Sequence, residues 1–195
     1  GLPEVLGEFP VSTLAAEIDT PGEGQIRALV TVAGNPAVST PDAGRLDRAL
    51  AGLEFMVSVD IYRNETTRHA DVILPPAGLL TRDHFDLAFY SLSIRNVANY
   101  SPPLVAPGPG ELEEWEILVR LASIAGGGMG TAEECVALDD FIIGGLVGKA
   151  AARDDLPDAA EMLAALAHRR GPARILDFML RTGPYGDRFG ADPDG

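Results

Sequence analysis

The sequence predicts an α/β fold: a three-layer, Rossmann-like, mostly parallel sheet followed by a C-terminal helical extension. Three observations predict it. A near-continuous apolar run, Ala28-Leu29-Val30-Thr31-Val32, leads into Gly34-Asn35-Pro36. A second apolar run over 55–61 contains Asp60 near its end, and a third, Val72-Ile73-Leu74, stops at Pro75-Pro76. Between the first two lies a stretch with helical periodicity. Alternation of β-branched runs with amphipathic helices is the pattern of βαβ units.

Residues 1–24 mix Pro, Gly and Glu with a short apolar stretch and read as a loop with a turn or two of helix, closed by Pro21-Gly22-Glu23-Gly24. Residues 26–32 read as a strand buried on both faces, because the run is apolar without alternation. Thr40-Pro41-Asp42 predicts a helix start, with Thr40 as N-cap and Pro41 at the first helical position. Leu46, Ala49, Leu50 and Leu53 form its apolar stripe. Residues 65–70 read as a short helix. Proline ends the third strand because it cannot continue the ladder.

Residues 77–107 are less regular, with Phe85, Leu87, Phe89, Leu92 and Ile94 suggesting one or two extended segments. A long excursion of this kind is uncommon in a compact domain. Residues 111–125 are an amphipathic helix with Trp115, Leu118, Leu121 and Ala122 on one side, ended by Gly126-Gly127-Gly128. Helical patterns follow at 132–148, 157–169 and 171–182, and residues 183–195 read as a flexible tail.

Composition excludes several classes. The chain has 195 residues and a net charge of −14, which repels nucleic-acid phosphates and anionic membranes. A local anion site built from backbone N–H groups remains compatible with that charge. No apolar run approaches the ~18 residues of a membrane span. Cys135 is the only cysteine, so neither an intrachain disulfide nor a cluster held by four cysteines is available. His69, His84, His168 and Cys135 lack the spacing of a zinc site. Cys135 reads as a small residue on a helix. The chain begins at Gly1 without methionine and stops after a Gly-, Pro- and Asp-rich stretch, and we expect a piece of a longer protein.

The residues that suit chemistry cluster where strands end. Gly34 allows close backbone approach, Asn35 donates and accepts, and Ser39 adds a hydroxyl beside a helix start that offers N–H groups to a phosphate. The same residues also suit a tight turn with ordinary capping. Asp60 stands where a dinucleotide fold places a carboxylate on ribose hydroxyls, and a carboxylate there could instead pair with the adjacent N–H donors of guanine or cap the following turn. Asn64, Glu65, Thr66 and Thr67 suit either ligand hydroxyls or helix capping. Arg68 and His69 read as solvated surface. His84 and Asp86 form a His–Asp pair without an accompanying nucleophile motif. Glu114 belongs to an acidic cluster, Glu111, Glu113, Glu114 and Glu116, that complements a helix dipole or supplies one ligand contact.

In order and spacing, Gly34-Asn35-Pro36, Asp60, Asn64-Glu65-Thr66, Ala70-Asp71-Val72-Ile73-Leu74-Pro75 and Glu114-Trp115-Glu116-Ile117-Leu118 resemble the molybdopterin oxidoreductases of the dimethyl-sulfoxide-reductase type, which include formate dehydrogenases and nitrate reductases. The resemblance covers about residues 25–125. It implies a longer protein that holds molybdenum between two molybdopterin guanine dinucleotides and performs a two-electron redox reaction, with this chain inactive alone. Residues 1–128 are then part of a dinucleotide-binding α/β domain, 129–182 a helical extension and 183–195 the tail. By the same resemblance Gly34, Asn35 and Ser39 approach the cofactor near its phosphates and ribose, and Asp60 lies at the guanosine end. Glu65 and Thr66 join the cofactor-binding set, and Glu114 stands where the family often has Asp.

Pro76 replaces the family's common Ser or Ala, and 77–107 departs from its glycine-rich pattern. The implied partners are the remaining domains of the longer protein and an electron-transfer partner, with room for an iron–sulfur cluster elsewhere and for self-association through an open sheet edge. The expected compartment is the cytoplasm. The alternative reading is a stand-alone nucleotide-binding module for NAD, ADP or GDP, or an interaction module without redox activity; a third is a purely structural domain.

Overall fold

A computed structural model describes residues 4–90 and 92–192. The chain divides into two compact units, Gly1–Glu114 and Trp115–Gly195.

The first unit is built on a parallel sheet. In chain order it contains α1 (Leu14–Asp19), β1 (Ala28–Val32), α2 (Pro36–Ser39), α3 (Ala43–Leu50), β2 (Phe55–Val59), β3 (Val72–Leu74), β4 (His84–Phe85), α4 (Leu87–Tyr90) and β5 (Tyr100–Ser101). The strands β1, β2 and β3 lie in that order and run parallel, with Val30 opposite Val57 and Val57 opposite Val72. This is a mixed α/β arrangement, as the alternating pattern predicts.

Side chains alternate across the sheet. One face carries Leu29 and Met56, which pack with Ala15 and Ile18 of α1, Ala37 of α2, and Leu46, Ala49 and Leu50 of α3. The same face holds a polar pair, Thr31 and Ser58, whose hydroxyls are 2.8 Å apart. On the opposite face Val57 and Val59 are buried, whereas Val30, Val32, Phe55 and Val72 are exposed. The expectation that 26–32 is buried on both faces is therefore corrected: among the described residues β1 is an edge strand, covered on its α1–α3 side and exposed at Val30 and Val32 on the other. Ile26 falls outside the strand because its N–H donates to the Glu17 carbonyl (2.9 Å).

The helix start also differs. Thr40 is not the N-cap of α3. Its hydroxyl donates to the Pro36 carbonyl (2.8 Å), closing the short helix α2, which Pro36 opens. The N-cap is Asp42, in the left-handed region at φ +56°, and its carboxylate accepts from Arg45 N–H (3.2 Å). Aspartate tolerates that conformation better than most residues. The stripe of Leu46, Ala49 and Leu50 is buried as expected.

Asp71 has a structural role at the sheet entrance. Its carboxylate accepts from Met56 N–H (2.7 Å), while its own N–H donates to the Met56 carbonyl (2.9 Å). The side chain thus extends the β2–β3 ladder by one rung. In the 77–107 excursion the short strands β4 and β5 pair antiparallel, and Phe85 meets Tyr90 edge to face with ring centroids 5.0 Å apart. Asp86 accepts from Phe89 N–H (3.0 Å), so it caps α4.

The second unit is helical. It takes α5 (Glu114–Ala125) from Trp115 onward and contains α6 (Ala132–Ala150), α7 (Ala159–Leu166) and α8 (Gly171–Thr182). Ile143, Val147, Met162, Leu166 and Phe178 form its core. Thr131 and Glu134 make a reciprocal capping box at the start of α6. Glu134 also accepts from the Ser123 hydroxyl (2.7 Å). That bond, with the Met129 and Thr131 N–H groups, holds its carboxyl at about 2. Asp139, buried on α6, accepts from Gly171 N–H (3.0 Å) and from the buried Arg174 guanidinium (3.2 Å). Gly171 has φ +56°, and a Cβ there would lie 2.5 Å from the Trp115 ring, so the position excludes a side chain. Cys135 is buried on α6, and burial pushes its thiol pKa up. Residues 183–192 include a 3-10 turn at Arg188–Gly190, and Arg181 pairs with Asp187 at 2.8 Å. Residues 193–195, the end of the segment expected as a tail, lie outside the described residues, as do residues 1–3. No helix among the described residues is long and apolar enough to cross a membrane.

Candidate functional site

Parallel strands deliver their C-terminal ends to one edge of a sheet, and in open α/β folds that edge is where ligands bind. Here β1 ends at Val32 and continues into Ala33-Gly34-Asn35, and β2 ends at Val59 and continues into Asp60. The turns that leave these neighbouring strands are therefore side by side.

Asn35 links them. Its side-chain amide donates to the Glu65 carboxylate (2.6 Å), and its amide oxygen accepts from the Thr66 hydroxyl (2.7 Å). The Thr66 oxygen in turn accepts from Ala37 N–H (3.0 Å). Ser39 donates its hydroxyl to the Asn35 carbonyl (3.1 Å). The Asn35 bond is the main cause that lowers the Glu65 pKa, with its own backbone N–H and Arg68 adding to it, so Glu65 is anionic at neutral pH.

The first turn of α2 has few donors to spare. Pro36 has no N–H, Ala37 donates to Thr66, and Val38 and Ser39 both donate to the Asn35 carbonyl (2.9 and 3.0 Å). The N–H groups in the first turn of α2 are therefore taken. The N–H groups of Gly34 and Asn35 carry no hydrogen bond among the described residues and are the open donors of this turn. Gly34 is exposed, and an added Cβ would approach nothing closer than the Val32 carbonyl at 4.0 Å. The backbone at Gly34 is open to a ligand.

Asp60 is buried, with 8% of its surface exposed. One carboxylate oxygen accepts from Tyr62 N–H (2.8 Å) and the other faces the Asn64 amide at 3.4 Å. Asp60 therefore caps the turn that follows β2, yet each oxygen keeps a lone pair for a further donor. Asn64 organises that turn: its side-chain oxygen accepts from Thr66 and Thr67 N–H (3.0 and 2.9 Å), and its own N–H donates to the Thr67 hydroxyl (2.8 Å). Thr66 and Thr67 are buried as a result. The helix expected over 65–70 is a 3-10 turn at Thr67–His69.

The structure thus joins Asn35, Ser39, Glu65 and Thr66 in one network and places Asp60 beside it through Asn64. Glu114 is held outside this network by Arg82 (3.2 Å). Arg68 and His69 are both engaged by Asp47, at 2.5 and 2.6 Å. Sequence reasoning missed the Asn35–Thr66–Ala37 linkage, because no spacing rule connects residues about thirty positions apart; only the adjacency of β1 and β2 does.

A family profile for molybdopterin oxidoreductases matches residues 3–123. The chain belongs to the molybdopterin oxidoreductase family. It is 35% identical over 109 residues to the assimilatory nitrate reductase catalytic subunit of Bacillus subtilis, covering 54% of this chain and 14% of that protein. It is 34% identical over 116 residues to the F420-dependent formate dehydrogenase subunit alpha of Methanocaldococcus jannaschii, covering 60% of this chain and 16% of that protein. A nitrate reductase of Symbiobacterium thermophilum is 31% identical over 109 residues. The chain thus spans about a seventh of the length of these relatives. The matched residues include the Gly34–Asn35 turn, Asp60 and the Asn64–Thr67 turn, and leave most of the helical unit unmatched.

The groups left open at this sheet edge fit a molybdopterin cofactor. Open backbone N–H groups at Gly34 and Asn35 suit ligand oxygens, and a buried carboxylate with spare lone pairs suits paired N–H donors.

Proposed function

We propose that this chain is part of the cofactor-binding region of a molybdenum-dependent oxidoreductase and holds the guanine dinucleotide part of molybdopterin guanine dinucleotide. The observation that carries the reading is the shared edge of β1 and β2, where the turn after β1 carries two open N–H groups and the turn after β2 a buried carboxylate. In this reading Gly34 and Asn35 N–H donate to oxygens of the dinucleotide. Glu65, being anionic, accepts from a ribose hydroxyl rather than facing a phosphate, because like charges repel. Ser39 borders the same turn. Asp60 accepts the paired N–H donors of guanine, a charge-assisted contact. Glu114, paired with Arg82, is assigned a more distant contact.

When bound, the cofactor supplies the two-electron redox chemistry at its metal and pterin. The residues here position it and carry no bond-making step, so the chain alone is inactive in this reading. The sheet belongs to a three-layer, Rossmann-like domain whose second covering layer lies over Val30, Val32, Phe55 and Val72, supplied by the remaining domains of a longer protein. The open β1 edge also offers a route to self-association of the isolated chain. The reading further includes an electron-transfer partner, an iron–sulfur cluster outside residues 1–195, and a cytoplasmic setting.

The test is to purify the full-length protein from its native host and quantify molybdenum and acid-released guanosine monophosphate per chain. About two guanosines per molybdenum, as expected for a bis-dinucleotide site, support the reading. A folded protein with neither, from a host that fills another molybdoenzyme, would refute it in favour of a nucleotide-binding module without redox activity.

A further inference from the structure

The resemblance implies a ligand contact for Thr66, but the residue is fully buried, at 0% exposed, and its side chain does not face the ligand directly. Its hydroxyl nevertheless occupies the centre of the site's polar network. A threonine hydroxyl has one hydrogen to give and two lone pairs to offer. The hydrogen goes to the Asn35 amide oxygen (2.7 Å), and a lone pair takes Ala37 N–H (3.0 Å).

We propose that Thr66 is a positioning residue for the nucleotide: it sets the orientation of the Asn35 carboxamide and of the Gly34–Asn35 backbone that offers donors to the ligand. This rests on the function proposed above. With its oxygen fixed on Thr66, Asn35 turns its NH2 group to Glu65 (2.6 Å). The flipped amide would set its oxygen against an anionic carboxylate, so the charge on Glu65 and the hydroxyl of Thr66 select the same orientation. One amide hydrogen then serves Glu65 and the second remains for the ligand, next to the open Gly34 and Asn35 N–H groups. By taking Ala37 N–H, Thr66 also ties the start of α2 to the turn after β2, so the two halves of the site keep a common register. Glu65 and Thr66, adjacent in sequence, therefore do different work: Glu65 lies at the exposed surface of the turn, and Thr66 acts through Asn35 from below.

The test is a double-mutant cycle in the full-length protein, with guanosine released per chain and thermal unfolding read in parallel. Thr66→Val keeps the shape and removes the hydroxyl, Thr66→Ser keeps the hydroxyl, and Asn35→Ala removes the group being positioned. Thr66→Val loses both bonds of the hydroxyl; the one to Asn35 alone predicts about a fivefold fall in nucleotide loading, with Thr66→Ser close to wild type. In the Asn35→Ala background the fall caused by Thr66→Val is smaller, because only the Ala37 bond is left to lose. Equal loading of Thr66→Val and wild type, or the same fall with and without Asn35, would overturn the positioning role, the latter marking a structural effect alone. Should Thr66→Val not fold, Thr66→Ala, which cannot overfill the site, takes its place in the cycle. Wild-type protein without guanosine would instead sink the function proposed above, and the positioning role with it.

Discussion

Asp60 has two roles in this account, and two substitutions separate them. It is 8% exposed, accepts Tyr62 N–H at 2.8 Å and faces the Asn64 amide at 3.4 Å. Asp60→Ala removes the acceptor of Tyr62 N–H in a turn whose residues 61–63 are exposed, so water takes over part of the bond and the cost is about 1 kcal/mol of stability. The longer contact to Asn64 adds little, since hydrogen bonds weaken near that distance. Asp60→Asn keeps an oxygen for Tyr62, so its cost to the fold is below about 1 kcal/mol. Guanine, however, offers paired N–H donors. Asparagine meets one with an oxygen and opposes the other with its own NH2 group. One charge-assisted bond is lost and a donor–donor contact is made, together worth about 3 kcal/mol, or roughly a hundredfold in nucleotide affinity. The assay is guanosine content per chain alongside thermal unfolding of the full-length protein. The expected result is that Asp60→Asn unfolds near the wild-type temperature and carries little guanosine. Full guanosine content in Asp60→Asn would refute the base-reading role and leave Asp60 as a turn cap.

Other predictions concern the helical unit. Asp139→Ala leaves the Arg174 charge and Gly171 N–H buried without their partner, a loss of about 3 kcal/mol, tempered by Asp140, which also pairs with Arg174. Adding Arg174→Met in the same chain recovers most of that loss in thermal unfolding. Gly171→Ala brings a Cβ within 2.5 Å of the Trp115 ring at φ +56°, and strain plus overpacking lower stability by about 3 kcal/mol. The carboxyl of Glu134 is depressed from 4.5 to about 2 when folded, chiefly by the Ser123 hydroxyl. A depressed folded value means that its stabilisation is complete above the unfolded value and is lost as pH falls through the folded one. The advantage of wild type over Glu134→Gln in thermal unfolding is therefore constant at neutral pH and shrinks between about pH 4.5 and 2.

Much of the fold was legible because local signals agreed with the global one. The β-branched runs became β1, β2 and β3, the Leu46–Ala49–Leu50 stripe became core, and the Gly126-Gly127-Gly128 run ended α5. The misreadings have physical causes. The run at 26–32 is apolar on both faces, but burial depends on what covers a strand, and among the described residues β1 has a covering helix layer on one side only. Thr40-Pro41-Asp42 satisfied every local rule for a helix start. The choice of Asp42 over Thr40 was made by the short helix α2, which used the Thr40 hydroxyl first. At the site, the identity of the polar residues was visible and their wiring was not. Asn35 meets Glu65 and Thr66 because parallel strands place their exits together, a tertiary fact with no sequence period. The same wiring took the N–H donors in the first turn of α2, through Thr66 and the Asn35 carbonyl.

The most direct test of the central claim is a structure of the full-length protein with its cofactor bound, read at the β1–β2 edge. The account predicts the guanine N1 and N2 atoms within about 3 Å of the Asp60 carboxylate, with dinucleotide oxygens at similar distance from Gly34 and Asn35 N–H. A cofactor whose guanine lies elsewhere, with Asp60 touching only Tyr62 and Asn64, would contradict it.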